Sequence, residues 1–276
     1  MKIGARTRVT ALLGYPVEHS LSPAMHNAAF ESLGLDYCYV AFPVRPDRLR
    51  DAVAAIRALP LAGANVTVPH KENVMPLLDE IDSEAAFIGA VNTVVNRGGR
   101  LLGYNTDGRG FMKGLEEAGV SVEGKNVLIV GAGGGSRAIS YYISEKASGL
   151  SLFDIDADKA ARLAHDLGVI RTNVRRLDAL SGLDAFDVVI NATPLGLKES
   201  DPLPFDAAAL GPEQVAGDLI YRETPLLRTA AGRGCRTFHG LGMLLWQGVL
   251  AFELWTGQSP PHELMRKVLL EGMARR

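Results

Sequence analysis

The feature that most constrains the fold of this chain is a glycine-rich turn between an apolar run and a helical segment. The apolar run covers residues 126–130, and the turn after it reads Gly131-Ala132-Gly133-Gly134-Gly135-Ser136. In this position backbone N–H groups and the positive end of the helix dipole can hold a pyrophosphate. The small Ser136 stands where the general fingerprint has its third glycine, and it still allows the helix to pack closely on the strand. We therefore predict a dinucleotide-binding βαβ unit, with a glycine turn that binds no nucleotide as the alternative.

Short apolar runs alternate with helical segments along the whole chain. With 276 residues, 47% of them hydrophobic, the chain exceeds one ordinary domain and can fill two cores. No internal repeat or low-complexity tract interrupts the pattern. We therefore predict an α/β protein of two lobes, each with a mostly parallel sheet covered by helices.

The pattern also places the individual elements. In the first lobe, strands are expected at residues 9–14, 37–44, 64–68, 91–95 and 101–104, and helices at residues 23–33, 47–58 and 72–78. In the second, strands are expected at residues 126–130, 150–153, 188–190, 215–219 and 236–238, and helices at residues 110–118, 136–146 and 158–167. Two further helices, at residues 242–255 and 261–273, end the chain.

Several classes of partner and cofactor are disfavoured by composition. The net charge is -2, from 29 basic and 31 acidic residues, and no run of Lys or Arg suits nucleic acid or an anionic membrane. Cys38 and Cys235 lie far apart without metal-binding spacing, and the six histidines show no ligand pattern, so we expect no disulfide framework and no metal. No signal peptide begins the sequence and no apolar run could span a bilayer, which predicts a soluble, cytoplasmic protein.

A short apolar strand in the first lobe ends in a cluster of polar side chains. It reads Asn65-Val66-Thr67-Val68-Pro69-His70-Lys71. Strand alternation puts Val66 and Val68 on one face and Asn65 and Thr67 on the other, so two polar groups and an ammonium can converge on one small ligand. We interpret this segment as a catalytic strand end. A half-buried strand with an exposed Lys71 is the alternative.

Two polar residues at predicted helix starts have a structural explanation as well as a functional one. Ser22 precedes Pro23, and its hydroxyl is expected to cap the first helix by accepting an N–H of the first turn. Asp107 precedes the helix at residues 110–118, where a carboxylate acts equally well as an N-cap or as a catalytic group.

Five segments in a fixed order give the chain a family resemblance. They are Ser20-Leu21-Ser22-Pro23, the strand end at residues 65–71, Ala90-Val91-Asn92-Thr93, Asn105-Thr106-Asp107-Gly108 and the glycine turn. With these segments, the chain resembles shikimate dehydrogenase from about Leu13 to its C-terminal helices. The resemblance implies an N-terminal substrate-binding catalytic domain at residues 1–107, completed by helices at residues 243–276 that return to it. It also implies a Rossmann-type dinucleotide-binding domain at residues 108–242 and an active site in the cleft between the two lobes.

The activity implied by the resemblance is the reversible NAD(P)-dependent reduction of 3-dehydroshikimate to shikimate in chorismate and aromatic amino acid biosynthesis. Lys71 would act as acid/base and stabilise developing alkoxide charge, while Asp107 would orient it and bind a substrate hydroxyl. The implied substrate-binding residues are Ser20, Ser22 and Tyr221 for the carboxylate, and Asn65, Thr67, Asn92, Asp107 and Gln247 for the ring hydroxyls. The implied cofactor-binding residues are Gly131, Ala132, Gly133, Gly134, Gly135, Asp154, Thr193, Leu219 and Gly240.

Asp154 bears on the choice between the two nicotinamide cofactors. It follows the second strand of the dinucleotide-binding unit, where a carboxylate accepts hydrogen bonds from both ribose hydroxyls of an adenosine. Most bacterial members of the resembled family prefer NADP and carry Asn-Arg-Thr where this chain has Asp154-Ile155-Asp156. Two carboxylates would repel a 2'-phosphate, and Lys159 or Arg162 would only partly compensate. We therefore predict NAD, with NADP as the alternative.

Other functions stay open on sequence alone. Quinate-preferring relatives tend to have threonine in place of Ser22, which favours shikimate, whereas the Asp154 signature is shared with NAD-using quinate/shikimate dehydrogenases. A non-catalytic nucleotide-binding regulator would not need the Lys71 and Asp107 pair. A chain that acts only within a larger complex has no support from a heptad or a charged tail. The sequence leaves the oligomeric state undetermined, with a homodimer as one alternative.

Overall fold

The computed structural model describes residues 2–275 and divides the chain into two compact units. One unit runs to Thr106 and resumes at Leu245, and the other spans Asp107–Leu244. The first boundary assigns Asp107 to the second unit, one residue earlier than the predicted domain limit. The second boundary falls inside a helix near the predicted limit at residue 243.

The first unit begins with alternating strands and helices. They are β1 (Arg8–Gly14), α1 (Ser22–Ser32), β2 (Tyr37–Pro43), α2 (Leu49–Ala58), β3 (Gly63–Val66), β4 (Glu80–Ile81), α3 (Ser83–Ile88), β5 (Thr93–Arg97) and β6 (Arg100–Tyr104). Two short 3₁₀ turns lie at Pro46–Arg48 and Met75–Leu77.

The sheet of the first unit brings several strand ends to one edge. Its six strands have the order β2-β1-β3-β5-β6-β4, in which β1, β2 and β3 are parallel. Strand β5 runs antiparallel to β3, and β6 antiparallel to β5. As a result, the end of β3, the start of β5 and the end of β6 meet at the same edge of the sheet.

The second unit is a repeating α/β structure. Its elements are α4 (Asp107–Glu117), β7 (Asn126–Val130), α5 (Gly134–Lys146), β8 (Gly149–Phe153), α6 (Ala157–Gly168), β9 (Val174–Arg176), β10 (Val188–Asn191), β11 (Val215–Asp218), α7 (Pro225–Gly232) and β12 (Arg236–His239). Further 3₁₀ turns lie at Leu183–Ala185 and Ala207–Ala209.

All six strands of the second sheet are parallel, in the order β12-β11-β10-β7-β8-β9. Chain order reverses between β7 and β10, which is the doubly wound arrangement of dinucleotide-binding domains. Buried apolar residues fill the strands, among them Leu128, Ile129 and Val189 at 0% exposure. The predicted two-lobe α/β fold with a Rossmann-type domain is confirmed.

The last two helices are α8 (Leu241–Thr256) and α9 (His262–Ala274). From Leu245 onward they belong to the first unit. Gly248 of α8 lies so close to Met25 of α1 that it leaves no room for a side chain, and Gly272 of α9 packs on Leu21 in the same way. The C-terminal helices therefore complete the first unit, as the resemblance implied.

Local departures from the predicted elements have physical causes. The helix expected at residues 72–78 is only a 3₁₀ turn, because Pro76 lies inside it. Strand β3 ends at Val66, so Val68 is 67% exposed and does not share the buried face of Val66 as predicted. Ser22 is the first residue of α1 rather than its cap, since Leu21 occupies the N-cap position without a side-chain cap bond.

Candidate functional site

The turn that carries Lys71 is fixed to the sheet by backbone hydrogen bonds. Thr67 N–H donates to the Leu13 carbonyl at 2.9 Å, and the Lys71 carbonyl accepts from Val91 N–H at 2.8 Å. His70 is fully buried, with Nε2 2.6 Å from the Val44 carbonyl oxygen. Any side chain at Gly14 would collide with Thr67, so this glycine permits the close approach of the turn. Lys71 and Thr67 are half-buried on a rigid segment.

A buried network joins the polar side chains at the shared sheet edge. The Asn65 amide donates to the Asn92 carbonyl at 3.1 Å and to Thr93 Oγ1 at 3.0 Å. Asn92 in turn donates to Thr106 Oγ1 at 2.9 Å and accepts from Thr106 N–H at 2.8 Å. Thr106 Oγ1 also donates to the Gln247 carbonyl at 3.0 Å, which ties α8 to this edge. The structure therefore brings Asn65 and Asn92 together beside the backbone of the half-buried Gln247.

The two serines near the start of α1 are connected to the same network. Ser22 N–H donates to Ser20 Oγ at 3.2 Å. Tyr39 donates its hydroxyl to Asn65 Oδ1 at 2.9 Å. Burial raises the pKa of the Tyr39 phenol well above its usual range, and a hydrogen bond from the Ser22 hydroxyl opposes the rise. Ser22 and Asn65 thus share Tyr39 as a neighbour.

Asp107 and Tyr221 belong to the second unit. Asp107 is buried and is the first residue of α4. Tyr221 is half-buried and follows β11 in a loop that is held by Asp218, whose carboxylate accepts from Ile220 N–H and from Thr224 Oγ1, both at 2.9 Å. Burial raises the pKa of the Asp218 carboxyl, and these hydrogen bonds oppose the rise.

The glycine turn after β7 leaves the start of α5 open. Gly131 has φ +107°, and an added Cβ would lie 2.8 Å from the Ala192 backbone, so only glycine fits. Gly133 occupies the N-cap position of α5 without a side-chain cap bond, and space is open where side chains at Gly133 and Gly134 would lie. The N–H groups of the first helical turn are therefore available to a phosphate.

Asp154 follows β8 and contacts the glycine turn directly. Its carboxylate accepts from Ala132 N–H at 2.7 Å and from Asp156 N–H at 2.8 Å. Asp156 caps α6 through Lys159 N–H at 3.2 Å, and its pKa is lowered chiefly by that bond. Lys159 Nζ lies 3.6 Å from Asp156, so this lysine is already paired with a carboxylate.

Three further cofactor candidates lie at the same edge of the second sheet. Thr193 Oγ1 donates to Asn191 Oδ1 at 2.7 Å, directly opposite Gly131. A side chain at Gly240 would overlap the Leu219 backbone, and one at Gly135 would lie 3.4 Å from Leu219 Cδ1. The predicted cofactor residues therefore converge on the crevice where the strand order reverses, and they fit a dinucleotide.

Residues 2–275 contain neither a clustered metal site nor a membrane-spanning helix. Within that range, no group of three or more His, Cys, Asp or Glu side chains is arranged to hold a metal ion. None of the helices within it has the length and apolar character needed to cross a bilayer.

Comparison with known proteins identifies the family. A model of the shikimate dehydrogenase substrate binding domain matches residues 12–94, and a model of the shikimate 5'-dehydrogenase C-terminal domain matches residues 240–270. A protein of Desulforamulus reducens named shikimate dehydrogenase (NADP(+)) is 48% identical over 99% of this chain and 98% of its own length. The chain belongs to the shikimate dehydrogenase family.

Solved structures of related proteins agree with this assignment. A shikimate 5-dehydrogenase from Listeria monocytogenes, in complex with shikimate and NAD, has a TM-score of 0.90 and 38% identity, with 98% of each chain covered. A quinate dehydrogenase from Corynebacterium glutamicum, in complex with NAD, has a TM-score of 0.90 and 35% identity over 96% of this chain and 99% of its own. Shikimate dehydrogenases and a quinate dehydrogenase thus share this fold.

Some residues around the predicted site were not singled out from the sequence. Tyr39 lies in the middle of an apolar strand, where a tyrosine is normally explained by packing. Thr106 stands inside a recognised motif, but only the structure shows its bond to Gln247. Asp218 carried a usable signal, because a carboxylate that ends a buried strand requires hydrogen-bond partners.

Proposed function

We propose that this protein catalyses the reversible NAD(P)-dependent interconversion of shikimate and 3-dehydroshikimate, a step of chorismate and aromatic amino acid biosynthesis. The observation that carries the proposal is the buried network that holds Asn65 and Asn92 beside the fixed turn of Lys71. A network of amides and hydroxyls next to one ammonium matches a small polyol that exchanges hydrogen bonds and one proton.

The chemistry divides between cofactor and side chains. In the oxidation, a bound nicotinamide would accept a hydride from the carbinol carbon of shikimate, and the oxygen on that carbon must lose its proton. We assign that proton transfer to Lys71, whose ammonium also stabilises alkoxide charge on the oxygen. Asp107 is assigned the neighbouring substrate hydroxyl, since a carboxylate accepts hydrogen bonds strongly.

The remaining substrate roles follow from hydrogen-bonding capacity. Ser20, Ser22 and Tyr221 carry hydroxyls that can donate to a carboxylate. Thr67, Gln247 and Asn92 carry groups that can both donate to and accept from ring hydroxyls. In the network, Asn65 uses both amide hydrogens internally, so we assign it an accepting role towards the substrate.

For the cofactor, we propose a preference for NAD over NADP. Curated relatives are named for NADP(+), but the charges of this chain oppose a 2'-phosphate. Asp154 contacts the glycine turn, Asp156 stands two residues later, and Lys159 is paired with Asp156. A second phosphate would therefore meet two carboxylates and no uncommitted lysine at this position.

Initial rates with shikimate or quinate, each paired with NAD+ or NADP+, test the proposal. We expect reduction with shikimate that favours NAD+. A preference for NADP+ would agree with the proposed activity but contradict the cofactor preference inferred from Asp154. No reduction in any combination, from folded protein, would favour a nucleotide-binding regulator, although Lys71 and Asp107 are both retained.

A second candidate is an NAD-dependent quinate/shikimate dehydrogenase. The Asp154 region favours it, as does the structural similarity to a quinate dehydrogenase in complex with NAD. Ser22 favours shikimate, because a threonine here is typical of quinate-preferring relatives. A quinate rate that equals or exceeds the shikimate rate would decide for this alternative.

We further propose that the enzyme works in the cytosol, since Cys38 and Cys235 are both buried free thiols, as is common in a reducing compartment. Small molecules are its proposed ligands, and neither nucleic acid nor a membrane is among its proposed partners. A homodimer is the assembly to test, and light scattering of the purified chain measures it directly.

A further inference from the structure

Tyr39 lies between two substrate-binding candidates that are distant in sequence. Ser22 begins α1 and Asn65 belongs to β3, while Tyr39 stands on β2 and is 1% exposed. Its hydroxyl donates to Asn65 Oδ1 at 2.9 Å, and its backbone is bonded to Asn27 of α1, the helix that Ser22 begins. Tyr39 therefore connects the serine segment to the asparagine network.

The direction of these hydrogen bonds is fixed by the backbone. The Asn92 carbonyl can only accept, so the Asn65 amide nitrogen must face it, at 3.1 Å. Asn65 Oδ1 then points to Tyr39, which must be the donor. One backbone carbonyl thus sets the orientation of Asn65 and Tyr39 in succession.

Tyr39 is itself held in place on every side. The Asn27 side chain of α1 binds both backbone groups of Tyr39, accepting from its N–H at 2.8 Å and donating to its carbonyl at 2.9 Å. The ring stacks on His26 at 4.6 Å with an interplanar angle of 12°. Trp255 tilts against it at 5.9 Å and is anchored by a 3.0 Å bond to the Val94 carbonyl. A side chain so constrained can hold its neighbours without reorganisation.

We propose that Tyr39 is a positioning residue for the substrate. Its hydroxyl fixes Asn65, and Asn27 ties its backbone to α1, so Tyr39 sets the spacing between the groups that bind the carboxylate end and the hydroxyl end of the substrate ring. This inference rests on the proposed shikimate dehydrogenase function. Tyr39 does not take part in hydride or proton transfer, and it acts through Asn65.

Tyr39→Phe tests the proposal, because it removes one hydroxyl and keeps the ring stack. Tyr37→Phe is the matched control. Tyr37 lies two residues earlier on the same strand, is 7% exposed, and its hydroxyl lies 3.5 Å from the Trp255 carbonyl oxygen. For Tyr39→Phe we expect the KM for shikimate to rise about tenfold, the scale of one lost buried hydrogen bond. The KM for NAD+ and most of kcat should be retained, and the control should match the wild type.

The double variant Tyr39→Phe/Asn65→Ala tests whether Tyr39 acts through Asn65. In that background we expect the loss caused by Tyr39→Phe to shrink to less than about threefold, because the acceptor of its hydrogen bond is gone. Thermal melting of each variant establishes that it is folded.

The outcomes separate the inference from the function on which it rests. Equal shikimate KM values for Tyr39→Phe and Tyr37→Phe would overturn the positioning role, and so would an undiminished effect in the Asn65→Ala background. An inactive wild-type protein would reject the proposed function. In that case, calorimetric titration with shikimate would still test the positioning role by comparing the dissociation constants of the same variants. A wild type that binds no shikimate would also overturn the inference.

Discussion

The stability of the first unit should fall in mild acid because of His26. This residue is fully buried on α1 among the rings of Phe30, Tyr39, Phe252 and Trp255. Within residues 2–275, neither of its ring nitrogens has a hydrogen-bond partner. Burial lowers the pKa of His26 from 6.5 to about 3. The imidazole is therefore neutral in the folded protein wherever the protein is normally studied.

The sign and size of the effect follow from proton linkage. Below pH 6.5, His26 is protonated in the unfolded chain but stays neutral in the folded protein. Acid therefore favours unfolding until the pH reaches the folded pKa of about 3. The slope is about 1.4 kcal/mol per pH unit. Between pH 7 and pH 4.5, His26 should thus remove about 2.5 kcal/mol from the free energy of unfolding. Any folded pKa below about 4 gives nearly the same loss.

Urea denaturation at pH 7, 5.5 and 4.5 measures this loss. Both tryptophans, Trp246 and Trp255, belong to the first unit, so their fluorescence reports its unfolding. His26→Phe keeps a ring in the stack and cannot take up a proton. Its unfolding free energy should fall by about 2.5 kcal/mol less than that of the wild type over this range, while other titrating groups cancel in the comparison. Equal pH dependence in the two proteins would refute the reasoning.

Two further predictions concern the cofactor domain. Gly131→Ala should destabilise the fold by about 1–3 kcal/mol, because a Cβ at φ +107° would meet the Ala192 backbone. Gly133→Ala, in open space at φ -78°, should leave the melting temperature unchanged and weaken NAD+ binding, and equal behaviour of the two variants would contradict the account. Replacing Asp154-Ile155-Asp156 with Asn-Arg-Thr should lower the KM for NADP+ by at least about tenfold and raise that for NAD+. Ile155 is 96% exposed, and Asn and Thr can accept the backbone hydrogen bonds of Asp154 and Asp156, so stability should change little. An unaltered cofactor ratio would contradict the role of the carboxylates.

The sequence predicted the second unit better than the first. Strand β7 and the glycine turn were predicted correctly, because a buried parallel strand followed by glycines and a helix is a local pattern. Strand β9, with only three residues and no apolar pattern, was missed. In the first unit, Pro76 prevented the helix expected at residues 72–78, although it was visible in the sequence.

In the site, too, local sequence patterns predicted some features and missed others. Motif positions indicated Asn65 and Asn92, but the bonds that orient them depend on partners from β2, β5 and the loop after β6. Tyr39 could not be found in this way, since nothing local distinguishes a tyrosine that packs from one that also orients two neighbours. Ser22 was expected to cap a helix, whereas in the structure Leu21 occupies the cap position and Ser22 is the first helical residue.

The most direct test of the central claim compares the wild type with Lys71→Ala. Initial rates of NADH formation from shikimate measure turnover, and fluorescence titration with NADH measures cofactor binding independently. We expect shikimate-dependent NAD+ reduction by the wild type and a loss of at least about 100-fold in the variant, the scale of one general acid/base group, with NADH binding intact. Near-normal turnover by Lys71→Ala, or no shikimate-dependent reduction by the folded wild type, would contradict the account.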